Sequence, residues 1–285
     1  MSIRYRDADG GHTDVIGYLV AGAPTITVRA KDGVVEIHPD AVVAVRELSA
    51  VPVRNSQIRT LEHAAALGWP GTEQHWHRGW LLRAADGFTS RANSAVPLDM
   101  SCSVADLPGI VDWYTERGLP PWLALPERLL PVRAAGVKHT RVMVRDLDAV
   151  TAPADVRLHR EPDAQWLACY RREVPVAVLT AVVDGAVRFA SVGDVAVGRG
   201  AVTTAPDGTR WLGIAAVRVA EPARRRGHAR AVCAALQHWG AEAGAQRAYV
   251  QVLDGNRPAI TLYTGLGFGL HHHHRYVDAR SLLGH

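Results

Sequence analysis

Hydrophobic and polar residues alternate with a period of two through much of the first fifty residues. The stretches 25–30 and 34–38 flank Lys31-Asp32-Gly33 and predict a β-hairpin, while 14–20 and 41–45 predict flanking strands. A short all-β segment closes most simply as a small SH3-like β barrel, which we expect over residues 1–52.

The pattern changes after Pro52. Apolar residues at helical spacing, among them Ile58, Leu61 and Ala65, predict a helix over 56–67 with Asn55 as its N-cap. Further helices are predicted over 103–117, 127–135, 163–172, 175–183, 227–243 and 258–266. Further strands are predicted over 79–84, 89–97, 122–125, 139–144, 188–192, 195–203, 211–219, 247–253 and 270–277.

The order of these elements repeats. Helix, glycine, strand, short helix, glycine and strand follow one another in 103–144 and again in 227–277, which indicates a duplicated unit. We therefore predict a mixed α+β chain with three domains. They are the barrel over 1–52, a half-domain over 53–145 and, after a linker over 146–155, a fuller domain over 156–285.

Composition excludes several classes of protein. With 285 residues and 48% hydrophobic content the chain is long enough to bury a core. Its three cysteines are far apart, which disfavours a disulfide framework and a structural zinc site. The polar N-terminus and the lack of any run of about 20 apolar residues predict a cytoplasmic protein without membrane contact.

The basic residues are concentrated in one segment. Five arginines and one glutamate lie between Val217 and Arg230, so this segment alone carries the net charge of +4 that the whole chain has. Here a predicted strand passes into a predicted helix through a loop that contains Gly227. Free N–H groups at a helix start bind phosphate, although an ordinary basic helix start at the surface is the alternative. We expect no nucleic-acid partner, because the net charge of the chain is mild and is accounted for by this one segment.

A second motif lies downstream. Asn256, Ala259, Leu262, Tyr263 and the Gly267-Phe268 pair follow the loop by about thirty to forty residues. Together with Val-x-x-Pro-x-Arg-x-x-Gly-x-Ala from Val219, they resemble the two motifs of the GNAT N-acetyltransferase superfamily. The resemblance spans about 188–277, and the barrel-plus-tandem arrangement is similar to an actinobacterial GNAT subgroup of largely unassigned substrate. It implies a GNAT fold in which 53–145 is a degenerate half without a phosphate loop and 156–285 binds acetyl-CoA.

The resemblance also implies roles for individual residues. The strand end Val217, Arg218 and Val219 would bind the pantetheine arm of acetyl-CoA through its backbone. The backbone of the loop and first helical turn would bind the pyrophosphate, a set formed by Arg224, Arg225, Arg226, Gly227, His228, Ala229 and Arg230. Asn256 would line the channel near the thiol, and Tyr263 would protonate the departing thiolate and contact the cofactor. Packing alone for Tyr263 and helix capping for Asn256 are the alternatives.

The strand 211–219 contains no acidic residue that could act as the general base. Asp194 is the local candidate, with a plain turn residue as the alternative. Without a base, the resemblance implies an alkaline optimum. Four consecutive histidines, 271–274, are a weak signal for a metal site, since alternate strand residues face opposite sides and at most two share a face. We expect no metal, and some of these histidines are candidates to face the acceptor.

The predicted domain arrangement favours one class of acceptor over another. The extra half-domain favours an enclosed site and hence a small-molecule amine, with Trp76, Trp80, Arg83, Arg91 and Asn93 as wall candidates or, alternatively, packed core. A lysine or N-terminus of a protein is the second acceptor class. A non-catalytic acyl-CoA sensor is the alternative from another class, and the sequence leaves a homodimer open.

Overall fold

A computed structural model of the protein describes residues 1–7, 9–48, 52–147, 151 and 153–283. Contacts divide the chain into two units, Met1–Pro52 and Val53–His285. Parts of the predicted segments 1–52, 146–155 and 156–285 lie outside the described residues. The division into three domains stays a prediction.

The first unit is a five-stranded antiparallel sheet with the order β4-β3-β2-β1-β5. Its strands are β1 (Ser2–Arg6), β2 (His12–Ala21), β3 (Ile26–Ala30), β4 (Gly33–Ile37) and β5 (Val42–Arg46). Strand β2 pairs with β1 in its first half and with β3 from Gly17 onward. A Cβ at Gly17 would lie 2.2 Å from the carbonyl oxygen of Arg29, so only glycine allows β3 to approach there. The predicted small β domain is confirmed.

The second unit contains six helices among its described residues. They are α1 (Asn55–Gly68), α2 (Leu107–Thr115), α3 (Ala164–Tyr170), α4 (Val176–Thr180), α5 (His228–Glu242) and α6 (Arg257–Thr264). None of the helices in the described ranges has the length and apolar character needed to cross a membrane. Helix α1 begins one residue earlier than predicted. The N–H of Arg54 donates to Gln57 Oε1 at 2.8 Å, so Asn55 is not the cap.

Two sheets run through this unit. The strands are β6 (Glu73–His77), β7 (Trp80–Ala84), β8 (Val96–Pro97), β9 (Trp122–Pro126), β10 (Val137–Asp146), β11 (Arg157–His159), β12 (Ala186–Val192), β13 (Ala196–Thr204), β14 (Arg210–Val219), β15 (Arg247–Leu253) and β16 (Gly269–Asp278). Strands β6, β7 and β8 form a small sheet, and the large sheet has the order β11-β12-β13-β14-β15-β10-β16-β9. Strands from both sides of the predicted linker therefore share one sheet.

Helices cover both faces of the large sheet, and strand alternation sends neighbouring residues to different cores. On β15, Val250 packs in the core under α5, whereas Tyr249 packs with Leu61 of α1 on the opposite face. Gly213 of β14 lies directly opposite Tyr249, and a Cβ there would lie 2.2 Å from the tyrosine hydroxyl. The ring of Tyr249 thus occupies the space that a larger residue at position 213 would need.

Two predicted elements are wrong. No helix forms over 127–135, where Leu130 precedes Pro131 and the proline both lacks an N–H and disfavours helical geometry at the residue before it. Of the strand predicted over 89–97, only Val96–Pro97 is extended. The side chain of Asn93 instead folds this segment into a loop by accepting from the N–H groups of Ala85 and Gly87 and donating to two carbonyl groups.

Candidate active site

The two central strands of the large sheet separate partway along their length. Strands β14 and β15 pair in parallel only as far as Ile214 and Val250. Just beyond, β14 carries a bulge in which two residues lie opposite one residue of β13, and Ala216 takes a left-handed φ of 55°. Within the described residues, the edge of 215–219 that faces β15 therefore has no partner strand. Its backbone groups are available to a ligand, and the predicted contacts Val217, Arg218 and Val219 lie in this stretch.

The loop after β14 has the geometry of an anion cradle. Arg225 and Gly227 have left-handed φ values of 64° and 87°, and α5 starts at His228. Within the described part of the chain, the backbone N–H groups of 225–230 donate no hydrogen bond to the protein. Successive free N–H groups at a helix start attract an anion. A Cβ at Gly227 would meet open space, so glycine serves here for its φ angle.

The arginines of this segment differ in their surroundings. Arg224, Arg225 and Arg226 are exposed, and Arg224 lies 3.9 Å from Glu221. Arg230 donates to the carbonyl oxygen of Gly265 at 3.0 Å, which ties α5 to the end of α6. Arg224, Arg225 and Arg226 therefore place their guanidinium groups at the loop surface, whereas the Arg230 guanidinium links α5 to the end of α6.

Tyr263 lies on α6 in the core under α5. Its side chain is 6% exposed, packs edge to face on Phe268 at 5.7 Å between ring centroids, and has no hydrogen-bond partner for its hydroxyl among the described residues. Burial raises the pKa of Tyr263 well above its usual value, and the Arg91 guanidinium opposes this only in part. The hydroxyl therefore keeps its proton at neutral pH.

Asn256 has the capping geometry that was its alternative role. Its Oδ1 accepts from the N–H of Ala259 at 3.2 Å at the start of α6. It also lines an open cavity of about 550 Å³ at the end of β15, together with Lys138, His139 and Asp254 among others. Its role near the cofactor thiol stays a prediction.

Asp194 is exposed in the turn between β12 and β13. The adjacent Val195 accepts from the N–H of Ala220, so this turn lies beside the loop that follows β14 and is our candidate phosphate-binding loop. The strands separate at Ile214, which lies several residues earlier on β14. This position gives no support to Asp194 as the general base, and that role stays a prediction.

A buried carboxylate that sequence reasoning missed lies on α1, on the side of the helix that faces β16. Glu62 is 4% exposed and lies 2.9 Å from His272 Nε2 and 3.4 Å from His274 Nδ1 through its Oε1 atom. Burial raises the pKa of Glu62, but the hydrogen bonds from the two histidines outweigh it and the pKa falls below its usual value. A signal was present in the sequence, because Glu62 follows Ile58 by four residues and so lies on the apolar face of the helix.

The histidine run does not alternate as predicted. Strand β16 carries an irregularity at this point, since Val142 pairs with His272 but Met143 pairs with Leu270, which leaves His271 as an extra residue. His271 Nδ1 consequently lies 2.8 Å from His272 Nδ1. Burial and the neighbouring His272 lower the pKa of His271 to about 3, and burial lowers the pKa of His272. Three histidines and Glu62 therefore form one network, where the sequence predicted at most two on a face.

A small cavity adjoins this network. Glu62, His274, Arg83, Arg91 and Gln251 are among the residues that line it. Gln251 directly follows Val250, the last residue of β15 that pairs with β14, so the cavity lies where the two strands separate. Of the five wall candidates, the two arginines line this cavity, whereas Trp80 is completely buried and donates to Asp106.

Comparisons with known proteins agree with this architecture. Residues 55–277 match the family model described as the C-terminal region of the probable histone acetyltransferase Rv0428c, and residues 1–46 match its N-terminal Sm-like domain. The chain is 46% identical to the probable histone acetyltransferase Rv0428c of Mycobacterium tuberculosis, over 99% of this chain and 95% of that protein. It is 25% identical to the uncharacterized N-acetyltransferase YobR of Bacillus subtilis, over 77% of this chain and 97% of that protein.

Solved structures share the fold at low sequence identity. A GCN5-related N-acetyltransferase from Kribbella flavida matches with a TM-score of 0.56 and 17% identity, over 79% of this chain and 95% of its own. An acetyltransferase assigned to the GNAT family from Novosphingobium aromaticivorans matches with a TM-score of 0.53 and 16% identity, over 76% of this chain and 96% of its own. The chain therefore belongs to the GNAT family of acetyltransferases, in the Rv0428c group whose members carry an N-terminal Sm-like domain.

Proposed function

We propose that the protein transfers an acetyl group from acetyl-CoA to a primary amine by direct attack of the amine on the thioester. The observation that carries this proposal is the gap between β14 and β15, which lies next to a loop with free N–H groups. The end of β14 thus offers a free strand edge to an extended chain, and the loop that follows offers free N–H groups to a phosphate.

The residues fit the cosubstrate in two respects. The free backbone of 225–230 and the exposed guanidinium groups of Arg224, Arg225 and Arg226 suit a pyrophosphate. The unpaired edge of 215–219 suits an amide-bearing arm that binds as an added strand. When bound, acetyl-CoA supplies a thioester that is activated toward amines.

The reaction asks for two things from the protein. It must hold the amine against the carbonyl carbon, which makes an otherwise bimolecular step effectively unimolecular, and it must deliver a proton to the departing sulfur. Tyr263 Oη is our candidate for the second task, because burial keeps it protonated and no protein group competes for its hydrogen among the described residues.

Two features favour a lysine side chain of a basic protein as the acceptor over the small amine predicted from the sequence. The larger cavity is open, and its one carboxylate, Asp254, already pairs with Arg141 at 3.0 Å. The Mycobacterium tuberculosis relative is named as a probable histone acetyltransferase. An enclosed, acid-lined cleft would have favoured the small amine.

Thiol release from acetyl-CoA tests both parts of the proposal. The assay compares a lysine-rich histone-tail peptide with the same peptide carrying acetylated lysines, and with spermidine and free lysine at equal amine concentration. We expect a kcat/KM for the unmodified peptide at least about tenfold above that of either small amine, because more substrate contacts contribute binding energy in the transition state. The acetylated peptide should give background release.

Two results would change the assignment. Faster thiol release with a small amine than with the peptide would instead favour the small-molecule acceptor that the sequence predicts. Tight binding of coenzyme A by calorimetry without release on any amine contradicts the transferase proposal and favours the acyl-CoA sensor.

A further inference from the structure

Hydrogen bonds from two histidines lower the pKa of Glu62, so its carboxylate is ionised. The network of Glu62 with three histidines then has one arrangement of protons that satisfies every contact with neutral rings. His271 Nδ1–H donates to His272 Nδ1 at 2.8 Å, His272 Nε2–H donates to Glu62 Oε1 at 2.9 Å, and His274 Nδ1–H donates to the same oxygen at 3.4 Å. The Nε2 atom of His274 is left with a lone pair and has no hydrogen-bond partner among the described residues.

This lone pair belongs to a residue that borders the separation of β14 and β15. His274, Glu62 and Gln251 line the same small cavity, and Gln251 follows the last paired residue of β15. Tyr263 lies on the opposite face of the sheet, in the core under α5. The arrangement places a proton acceptor on one side of the gap and a proton donor on the other.

The chemistry requires such an acceptor. An alkylammonium has no lone pair with which to attack a thioester, and β14 has no acidic side chain to take its proton. Asp194 lies in an exposed turn beside the phosphate loop. His274 is thus the residue at the gap whose type and surroundings suit a general base.

We propose that His274 is the general base of the transfer reaction and that Glu62 is the positioning residue that orients it. The inference rests on the proposed function. His274 Nε2 takes one proton from the acceptor ammonium, the amine forms the C–N bond as the C–S bond breaks, and the thiolate takes the proton of Tyr263. The new amide nitrogen loses its second proton to solvent, and Tyr263 regains a proton from solvent. The imidazolium then returns its proton to solvent, so one proton is released for each acetyl group transferred.

The charged groups around His274 have opposite effects on a positive charge at its imidazole ring. Glu62 on α1 stabilises the imidazolium, and His272 and Tyr276 flank it on β16, with the Tyr276 ring 5.6 Å from the His274 ring. Arg83 of β7 and Arg91 of the preceding loop line the same cavity and oppose a second positive charge. The cavity, with a volume of about 10 Å³, has room for about one water molecule, which can relay the proton from an amine outside it to His274.

His274→Asn tests the proposal, because the asparagine Nδ2–H can replace Nδ1–H toward Glu62 but cannot accept a proton. At pH 7 we expect kcat/KM for the amine to fall about 100-fold, within the usual range for loss of a general base, while the Kd for coenzyme A stays within about twofold. As pH rises toward the pKa of the acceptor amine, the loss should shrink to less than about fivefold, since neutral amine then needs no base. His273→Asn, on the adjacent position of β16, is the matched control and should keep the wild-type profile.

Each contrary outcome has a distinct meaning. A loss that is equal at all pH values marks a structural role and overturns the proposal, as does a wild-type profile in His274→Asn. One equivalent of bound metal in the purified protein would assign the cluster to a metal site instead. If wild-type protein transfers to no amine, the proposed function fails and this inference fails with it.

Glu62→Gln provides a second test if His274→Asn folds poorly. Glutamine keeps the shape and an acceptor oxygen but removes the charge that stabilises the imidazolium. We expect about a tenfold loss of kcat/KM and an acid limb of the pH profile that moves to lower pH. An acid limb that moves to higher pH or stays in place contradicts a positioning role for Glu62.

Discussion

Tyr263→Phe is expected to lower kcat for acetyl transfer about 1000-fold, within the range typical of a lost general acid, while the Kd for coenzyme A changes less than about twofold. The hydroxyl has no partner among the described residues, so its removal breaks no hydrogen bond there, and the phenyl ring still fills the site beside Phe268. The thiolate then leaves without a proton donor. Steady-state kinetics together with calorimetric titration of coenzyme A separate the two effects.

A matched control guards against loss of packing as the explanation. Tyr170 is also buried, on α3, in a core cluster that contacts Ala215 and Ala216 but does not include Tyr263. Tyr170→Phe should keep kcat within about twofold, because no step of the proposed mechanism uses the Tyr170 hydroxyl. Wild-type kcat in Tyr263→Phe would remove the tyrosine from the mechanism and leave it with the packing role that was its alternative.

Arg225→Glu is expected to raise the Kd for coenzyme A about 100-fold and to lower kcat/KM for acetyl-CoA by a similar factor, because charge-assisted contacts to phosphate are replaced by repulsion. Arg225 is exposed and lies inside the stretch of free N–H groups. Its substitution therefore places a negative charge beside the proposed pyrophosphate without disturbing a core. The kcat at saturating acetyl-CoA should change little.

Ionic strength and position provide the controls. The penalty should shrink as salt is raised from 0.05 to about 0.5 M, since exposed charges are then screened. Arg210→Glu, at the other end of β14, carries the same charge change and should leave the Kd within about twofold. An equal effect of the two substitutions would mean that net charge, and not the loop, governs cofactor binding.

Local features of this site could be predicted from the sequence, whereas features that depend on tertiary pairing could not. The loop around Gly227 was predictable because a positive φ and a helix start are encoded within a few residues. The position of β10 between β15 and β16 depends on partners more than 100 residues away, and no local pattern specifies it. The same holds for the irregularity at His271, which brings two consecutive histidines into contact.

Two errors had signals that were present in the sequence. Pro131 lies inside the stretch predicted as a helix over 127–135 and should have excluded it. Glu62 lies on the apolar face of α1, and a buried carboxylate requires partners. The candidate base predicted from the sequence, Asp194, is close to the phosphate-binding loop in the chain, whereas His274 and Glu62 are 212 residues apart and only the tertiary structure brings them together.

A crystal structure with coenzyme A bound tests the central claim most directly. The account predicts that the pyrophosphate accepts hydrogen bonds from the N–H groups of 225–230, that the pantetheine arm pairs with the free edge of 215–219, and that the sulfur lies within hydrogen-bond reach of Tyr263 Oη. Coenzyme A bound elsewhere, or bound at the loop with its sulfur directed away from the gap between β14 and β15, would contradict it.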